Sequence, residues 1–247
     1  MDLKQFFSEN PNVALGFSGG VDSSYLLYAG VHYGAQIRPY YIKTAFQPEF
    51  ELEDARRLAS QLQVELTVIY LDLLEEEAVV SNPADRCYHC KTRLFSALKD
   101  QALKDGYRVL IDGTNASDDA GDRPGMRALR ELEVRSPLRE CGITKKEVRQ
   151  LSREAGLFTW NKPAYACLAT RIPTGTVITK DLLKRVEMAE DAMFGMGFSD
   201  FRVRLFGGQA RIQVPEAQMG MAFDKREQLK EEVGKYFNGV MLDLAGR

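Results

Sequence analysis

The stretch Leu15-Gly16-Phe17-Ser18-Gly19-Gly20-Val21-Asp22-Ser23-Ser24 restricts the fold of this chain more than any other. It follows the apolar run Val13-Ala14-Leu15, which predicts a strand ending near Phe17, and Ser23 and Ser24 open a helical pattern that continues through Tyr25-Leu26-Leu27-Tyr28-Ala29. Between strand and helix, Gly19 and Gly20 let the backbone come close to an anion, at which the unpaired N–H groups of the first helical turn would point. Asp22 beside a bound phosphate is repulsive unless a cation lies between them, so the turn implies Mg²⁺. The Lys-Ser/Thr ending of a Walker A loop is missing, which argues against ordinary γ-phosphate transfer.

The chain beyond this turn repeats the alternation. Val13 to Phe17, Ile37 to Ile42, Leu66 to Leu71 and Val109 to Asp112 are short runs rich in branched or aromatic residues. Helical spacing separates them near Ser23 to Tyr33, Glu51 to Leu62 and Thr92 to Lys104. This predicts an α/β fold, a parallel sheet with helices on both faces. Sites in such sheets lie at the carboxyl ends of the strands, where the glycine turn and Asp112-Gly113-Thr114-Asn115 both fall. Thr144 and Glu147 have the spacing of a capped helix start, and Gly156 is a stop. Trp160-Asn161-Lys162-Pro163 breaks regular structure, so we place a boundary there, with units at 1–162 and 163–247. Trp160 reads as packing at that boundary. The second unit is a smaller α+β body: a helix over Thr179 to Met196, a hairpin turning at Phe206-Gly207-Gly208-Gln209, a helix from Pro215 to Tyr236 and a last strand Gly239 to Leu244.

Ser18-Gly19-Gly20-Val21-Asp22-Ser23-Ser24 resembles the PP-loop of ATP pyrophosphatases. The resemblance implies that the loop, with Ser18, Gly19, Gly20, Asp22, Ser23 and Ser24, binds ATP and holds the β- and γ-phosphates as leaving group while a substrate oxygen is adenylylated. Gly113, Thr114 and Asn115 then look like the second nucleotide loop of that family. Arg123, in Asp122-Arg123-Pro124-Gly125, is a candidate for a substrate anion, because a guanidinium meets carboxylate or phosphate in two-pronged geometry.

The four cysteines carry more specific chemistry. Cys87-Tyr88-His89-Cys90 sets two thiols beside Lys91 and Arg93, and Cys167 lies in Ala166-Cys167-Leu168-Ala169-Thr170-Arg171-Ile172-Pro173; basic neighbours favour thiolate. A structural zinc half-site and a redox pair are the other readings of C-x-x-C. Cys141 has no partner in the sequence and reads as a bystander, as does His32. With a formal net charge of −2, the bulk balance recruits neither nucleic acid nor an anionic membrane. No run approaches a membrane span and the start is no signal peptide, so we expect a cytoplasmic protein.

Taken together, these motifs make nearly the whole chain similar to the LarE-type ATP-dependent sulfur transferases. The likeness runs through the PP-loop, Arg86-Cys87-Tyr88-His89-Cys90-Lys91, Asp112-Gly113-Thr114-Asn115, Arg123-Pro124-Gly125, the Cys167 segment, Arg185-Val186-Glu187-Met188-Ala189-Glu190 and Phe201-Arg202-Val203-Arg204. It implies conversion of the carboxylates of pyridinium-3,5-biscarboxylic acid mononucleotide to thiocarboxylates, for the nickel-pincer nucleotide of lactate racemase. It implies Cys167 as the sulfur-supplying cysteine, and Arg171, Glu190, Arg202 and Arg204 as substrate contacts. It further implies a homo-oligomer of threefold symmetry, up to a hexamer. Cys87, Cys90 and Cys167 together match the form in which three thiolates hold a 4Fe–4S cluster with one iron open; the alternative is Cys167 as a sacrificial sulfur donor. Gln213 departs from the family, where an acidic residue is expected. Other PP-loop enzymes, a tRNA thiolase or an amide-forming synthetase, and a non-enzymatic adenine-nucleotide sensor are the rival readings.

Overall fold

Val13, Ala14 and Leu15 are each at most 1% exposed, as a strand covered on both faces requires. In the computed structural model, which describes residues 1–118 and 124–247, they form the middle of β1 (Asn12–Gly16). β2 (Gln36–Lys43), β3 (Thr67–Tyr70) and β4 (Val109–Ile111) complete a sheet of order β3-β2-β1-β4. All of its pairings are parallel, with Val13 opposite Ile37 on one side and Val109 on the other. Successive residues divide between two apolar layers, as the period of a strand dictates. Val13 and Leu15 pack with Leu26 and Leu27 of the helix Val21–His32. Ala14 packs with Leu98 and Ala102 of the helix Arg86–Lys104 on the other face. This is the PP-loop α/β fold.

The chain runs outward from β1 to β2 and β3, then returns to lay β4 on the opposite side of β1. The loops leaving β1 and β4 therefore emerge side by side at a topological switch point, the crevice where open α/β sheets place their ligands.

This sheet belongs to the first of two compact units, made of Met1–Thr44, Glu49–Asp72 and Asp85–Lys162. The second takes Ala45–Pro48, Leu73–Ala84 and Pro163–Arg247. In the second unit, β5 (Arg202–Phe206) and β6 (Gln209–Gln213) form an antiparallel hairpin, and β7 (Val240–Leu242) lies parallel to β6. Gly207 and Gly208 turn the hairpin with φ of 55° and 81°, the left-handed pair that a two-residue hairpin loop demands. Thr179 caps the helix Lys180–Gly195 by accepting from the Leu182 N–H. The helix expected from Pro215 to Tyr236 is instead three pieces, Glu216–Gln218, Met219–Asp224 and Arg226–Gly234. The last break falls at Lys225, whose ψ of 14° leaves the α region. Backbone bonds from Leu168, Gly175 and Ile178 to Phe46, Asn82 and Val80 sew the two early segments into this unit. The Asn82 amide adds bonds of 2.8 and 3.2 Å to the carbonyls of Pro173 and Thr176.

Candidate functional site

In the first unit, the turn after β1 delivers the chain to Gly20, the N-cap of the helix Val21–His32. Gly19 has φ +69°, and a Cβ there would approach the Glu51 carbonyl oxygen at 3.3 Å, so both conformation and space call for glycine. Ser18 and Ser23 brace the turn: their hydroxyls lie 3.1 Å apart, and the Gly20 N–H donates to Ser18 Oγ at 3.3 Å. Ser24 is buried on the first helical turn. Few intrahelical partners exist for the leading N–H groups, which leaves a ready anion site.

The loop after β4 closes against this turn. A Cβ on Gly113 would stand 2.8 Å from Ser23 N and 3.1 Å from Ser23 Cα, backbone atoms that cannot swing aside. Gly113→Ala is therefore expected to cost about 1–3 kcal/mol of stability through overpacking, read as a lower urea midpoint. An unchanged midpoint would show that the two loops part freely.

Beside Gly113, the buried Asp112 accepts from Thr114 Oγ1 at 2.5 Å and from Ser136 Oγ at 2.7 Å. That shapes the loop so that Asn115 Nδ2 donates to Asp22 Oδ1 at 3.2 Å. The other Asp22 oxygen is paired with Lys145. Lys145 is the first residue of the helix Lys145–Glu154, whose capping box between Thr144 and Glu147 has both halves made. Its backbone N–H also donates to Ser117 Oγ at 3.0 Å, which ties that helix to the second loop. Lys162 reaches the first loop: its ammonium donates to the Gly19 carbonyl at 3.3 Å and to Asp54 at 2.6 Å.

Thus the structure brings together Ser18, Gly19, Gly20, Asp22, Ser23, Gly113 and Asn115, with Thr114 turned onto Asp112. It adds Lys145, Lys162 and Asp54, which sequence reading misses. The capping box marks where the helix bearing Lys145 starts, but nothing local indicates that its side chain meets Asp22. Arg123 falls among residues 119–123, outside the described residues. Trp160 stands in the short helix Phe158–Asn161 with the Arg153 guanidinium 5.2 Å from its ring.

Cys87 and Cys90 lie in the first two turns of the helix Arg86–Lys104, three residues apart and so on neighbouring positions of one face. Cys87 is exposed, and Arg86 donates to its sulfur at 3.8 Å. Cys141 packs against the core, where burial pushes its thiol up. Among the described residues, no three or more His, Cys, Asp or Glu side chains are grouped to hold a metal ion.

The other candidates belong to the second unit. Cys167 is partly buried and precedes the short helix Leu168–Arg171. The Arg171 and Glu190 side chains are 0% and 1% exposed and form a two-pronged pair, Nε to Oε1 at 2.9 Å and a terminal nitrogen to Oε2 at 3.1 Å. Burial opposes the Arg171 charge, but Glu190 overcomes it, so the guanidinium is held above its ordinary value. Glu190 also accepts from Tyr165 and from the Val203 N–H. Arg202 and Arg204 lie two residues apart on β5, hence on one face. Arg202 donates to the Ala164 carbonyl, and Arg204 to the Thr170 carbonyl at 2.6 Å. Burial first, and then the neighbouring Arg171 charge, hold both guanidiniums below their ordinary value. Gln213 links Arg204 to Asp243 with bonds of 2.7 Å on each side. It uses the amide as acceptor and donor at once, which a carboxylate cannot do.

No protein-family model matches the chain. An uncharacterized protein of Synechocystis is 38% identical over 99% of this chain and 93% of its own length. The pyridinium-3,5-bisthiocarboxylic acid mononucleotide synthase of Lactiplantibacillus plantarum is 33% identical over 95% of this chain and 86% of its own. A tRNA-specific 2-thiouridylase of Clostridium botulinum is 26% identical over 61% of this chain.

Proposed function

The chain belongs to the LarE-type sulfur transferase family, and from that premise we propose that it activates a carboxylate of pyridinium-3,5-biscarboxylic acid mononucleotide with ATP and exchanges its oxygen for sulfur. The observation that carries this reading is the meeting of the two loops at the ends of β1 and β4. There Asp22 is fixed by Asn115 and Lys145 beside a helix N-terminus.

The chemistry follows from charge. A carboxylate is a poor electrophile, so one of its oxygens attacks the α-phosphorus of ATP. The bond from that phosphorus to the β-bridging oxygen breaks, and pyrophosphate leaves. The N–H groups of the turn and the Lys145 ammonium stabilise the charge that develops on it. Asp22 would hold Mg²⁺, a hard cation suited to a carboxylate oxygen, and the ion supplies further neutralisation of the phosphates. Thiolate attack on the acyl carbon then expels AMP, which carries away the former carboxylate oxygen. If Cys167 is the attacking group, loss of its Cα proton with cleavage of its Cβ–S bond leaves the thiocarboxylate on the substrate and dehydroalanine in the chain. Arg202 and Arg204 are proposed to meet the substrate's anionic groups. Burial first, and then the neighbouring Arg171 charge, disfavour their charged forms, and an anion placed beside them would offset both.

The soft thiolates of Cys87, Cys90 and Cys167 are the donor type a 4Fe–4S cluster takes. Cys87 and Cys90 stand three residues apart on one helix, and the steps above draw the sulfur from Cys167 itself. A cluster held by the three cysteines is the rival sulfur source. We take the working form to be a homo-oligomer.

The decisive assay mixes ATP, the dicarboxylate nucleotide and protein, and follows pyrophosphate and thiocarboxylate. Pyrophosphate that depends on the nucleotide is expected; ATP binding without turnover would leave an adenine-nucleotide sensor. Mass spectrometry of Cys167 after turnover should show the loss of one H₂S. A chain that keeps its mass and carries about four irons, as a thiolate-held cluster does, would transfer the role to the cluster.

A further inference from the structure

We infer that the buried pair of Arg171 and Glu190 is a positioning device for Cys167, an inference that rests on Cys167 being the residue that handles sulfur. Burying two charges carries a large desolvation cost before their attraction is counted, and apolar residues of similar volume often serve stability as well. The use of such a pair is therefore to be sought in what its geometry holds.

What it holds is the cysteine segment. Two donors of the Arg171 fork, Nε and one terminal nitrogen, are spent on Glu190. The remaining terminal nitrogen donates to the Ala166 carbonyl at 2.7 Å, the Cys167 carbonyl at 3.3 Å and Thr170 Oγ1 at 2.9 Å. Glu190, for its part, takes the Tyr165 hydroxyl and the Val203 N–H, and the Arg171 guanidinium lies 4.5 Å from the Tyr165 ring centroid. Residues 165, 166 and 167 are thus tied, through one ion pair, to the helix Lys180–Gly195 and to β5. Arg202 at the Ala164 carbonyl and Arg204 at the Thr170 carbonyl hold the two ends of the same segment. The Leu168 N–H donates to the Phe46 carbonyl at 2.9 Å. With the backbone of Cys167 fixed on both sides, its sulfur keeps little freedom beyond rotation about χ1. A nucleophile held in this way has lost in advance much of the entropy that attack on a single acyl carbon would otherwise cost.

The test compares wild type with Arg171→Lys, which keeps the charge but not the fork, and Tyr165→Phe, which keeps the ring and removes one donor to Glu190. Iodoacetamide labelling of Cys167 is measured by peptide mass spectrometry against the exposed Cys87 as internal reference. Thiocarboxylate formed per pyrophosphate released is measured in parallel. In Arg171→Lys, the labelling ratio is expected to shift about tenfold and the product ratio to fall about tenfold, as a misplaced reacting group should cause. Tyr165→Phe should move both ratios in the same directions, by about threefold. A folded Arg171→Lys protein whose labelling ratio stays within about twofold of wild type would overturn the inference, as would thiocarboxylate and pyrophosphate falling together, the mark of lost substrate binding. Should Arg171→Lys fail to fold, Tyr165→Phe decides by the same two ratios. Sulfur transfer that survives in Cys167→Ser would instead refute the role of Cys167, while the labelling ratio still judges the positioning.

Discussion

Cys167→Ser protein is expected to release pyrophosphate from ATP and the dicarboxylate nucleotide while forming no detectable thiocarboxylate. The substitution removes the sulfur atom itself and changes no residue of the loops after β1 and β4. A serine hydroxyl attacking the acyl carbon would yield an oxygen ester, from which no thiocarboxylate can follow. Mass spectrometry of the products beside a pyrophosphate assay checks both halves. Thiocarboxylate at the wild-type level would remove Cys167 from the reaction and leave only the first unit's part of the mechanism standing.

The second large effect belongs to Asp22. Its carboxylate accepts from Asn115 and pairs with Lys145 at the start of a helix, so Asp22→Ala deletes the proposed cation ligand and releases both partners at once. Pyrophosphate release should fall about 10²–10³-fold, the scale of losing one group that stabilises charge in a transition state. The circular dichroism spectrum should stay that of wild type, because a partly exposed polar contact is lost rather than core volume. Asp22→Asn offers the Asn115 amide an acceptor but no charge, and it should be nearly as impaired. Release within about threefold of wild type in both variants would contradict an electrostatic role, since charge stabilisation on this scale cannot be lost unnoticed.

Much of the fold, and the placement of the loops after β1 and β4, is legible in the amino-acid sequence alone, for reasons that differ from element to element. Val13, Ala14 and Leu15 are apolar without alternation because both faces of β1 are covered, and a fully buried strand reads that way. The Gly207 and Gly208 pair announces its hairpin through the backbone angles only glycine adopts freely. Thr144 and Glu147 announce a helix start because a capping box is made within four residues. Contacts over long sequence separation leave no such trace. Lys162 bonds to the Gly19 carbonyl across 143 positions, and no local pattern distinguishes it from a solvated lysine. Motifs mark Arg171, Arg202 and Arg204 as anion contacts, but that each also grips a carbonyl between residues 164 and 170 depends on how β5 is laid beside that segment. The break at Lys225 is hidden by an apolar spacing that runs through it.

Backbone bonds from Leu168, Gly175 and Ile178 tie the early segments Ala45–Pro48 and Leu73–Ala84 to the chain beyond Pro163. As the chain leaves the ribosome, β1 to β3 are complete while Phe46, Val80 and Asn82 still await Leu168, Ile178 and Gly175. Assembly of the smaller unit therefore waits for the chain beyond Pro163, and it begins from stretches of chain anchored at both ends in the larger one. No single proteolytic cut yields two intact halves: cleavage after Lys162 leaves the larger fragment carrying Phe46, Val80 and Asn82 cut off from their backbone partners Leu168, Ile178 and Gly175. Recombination between relatives at that point would meet the same obstacle, so exchange of the smaller unit has to carry these two early segments with it.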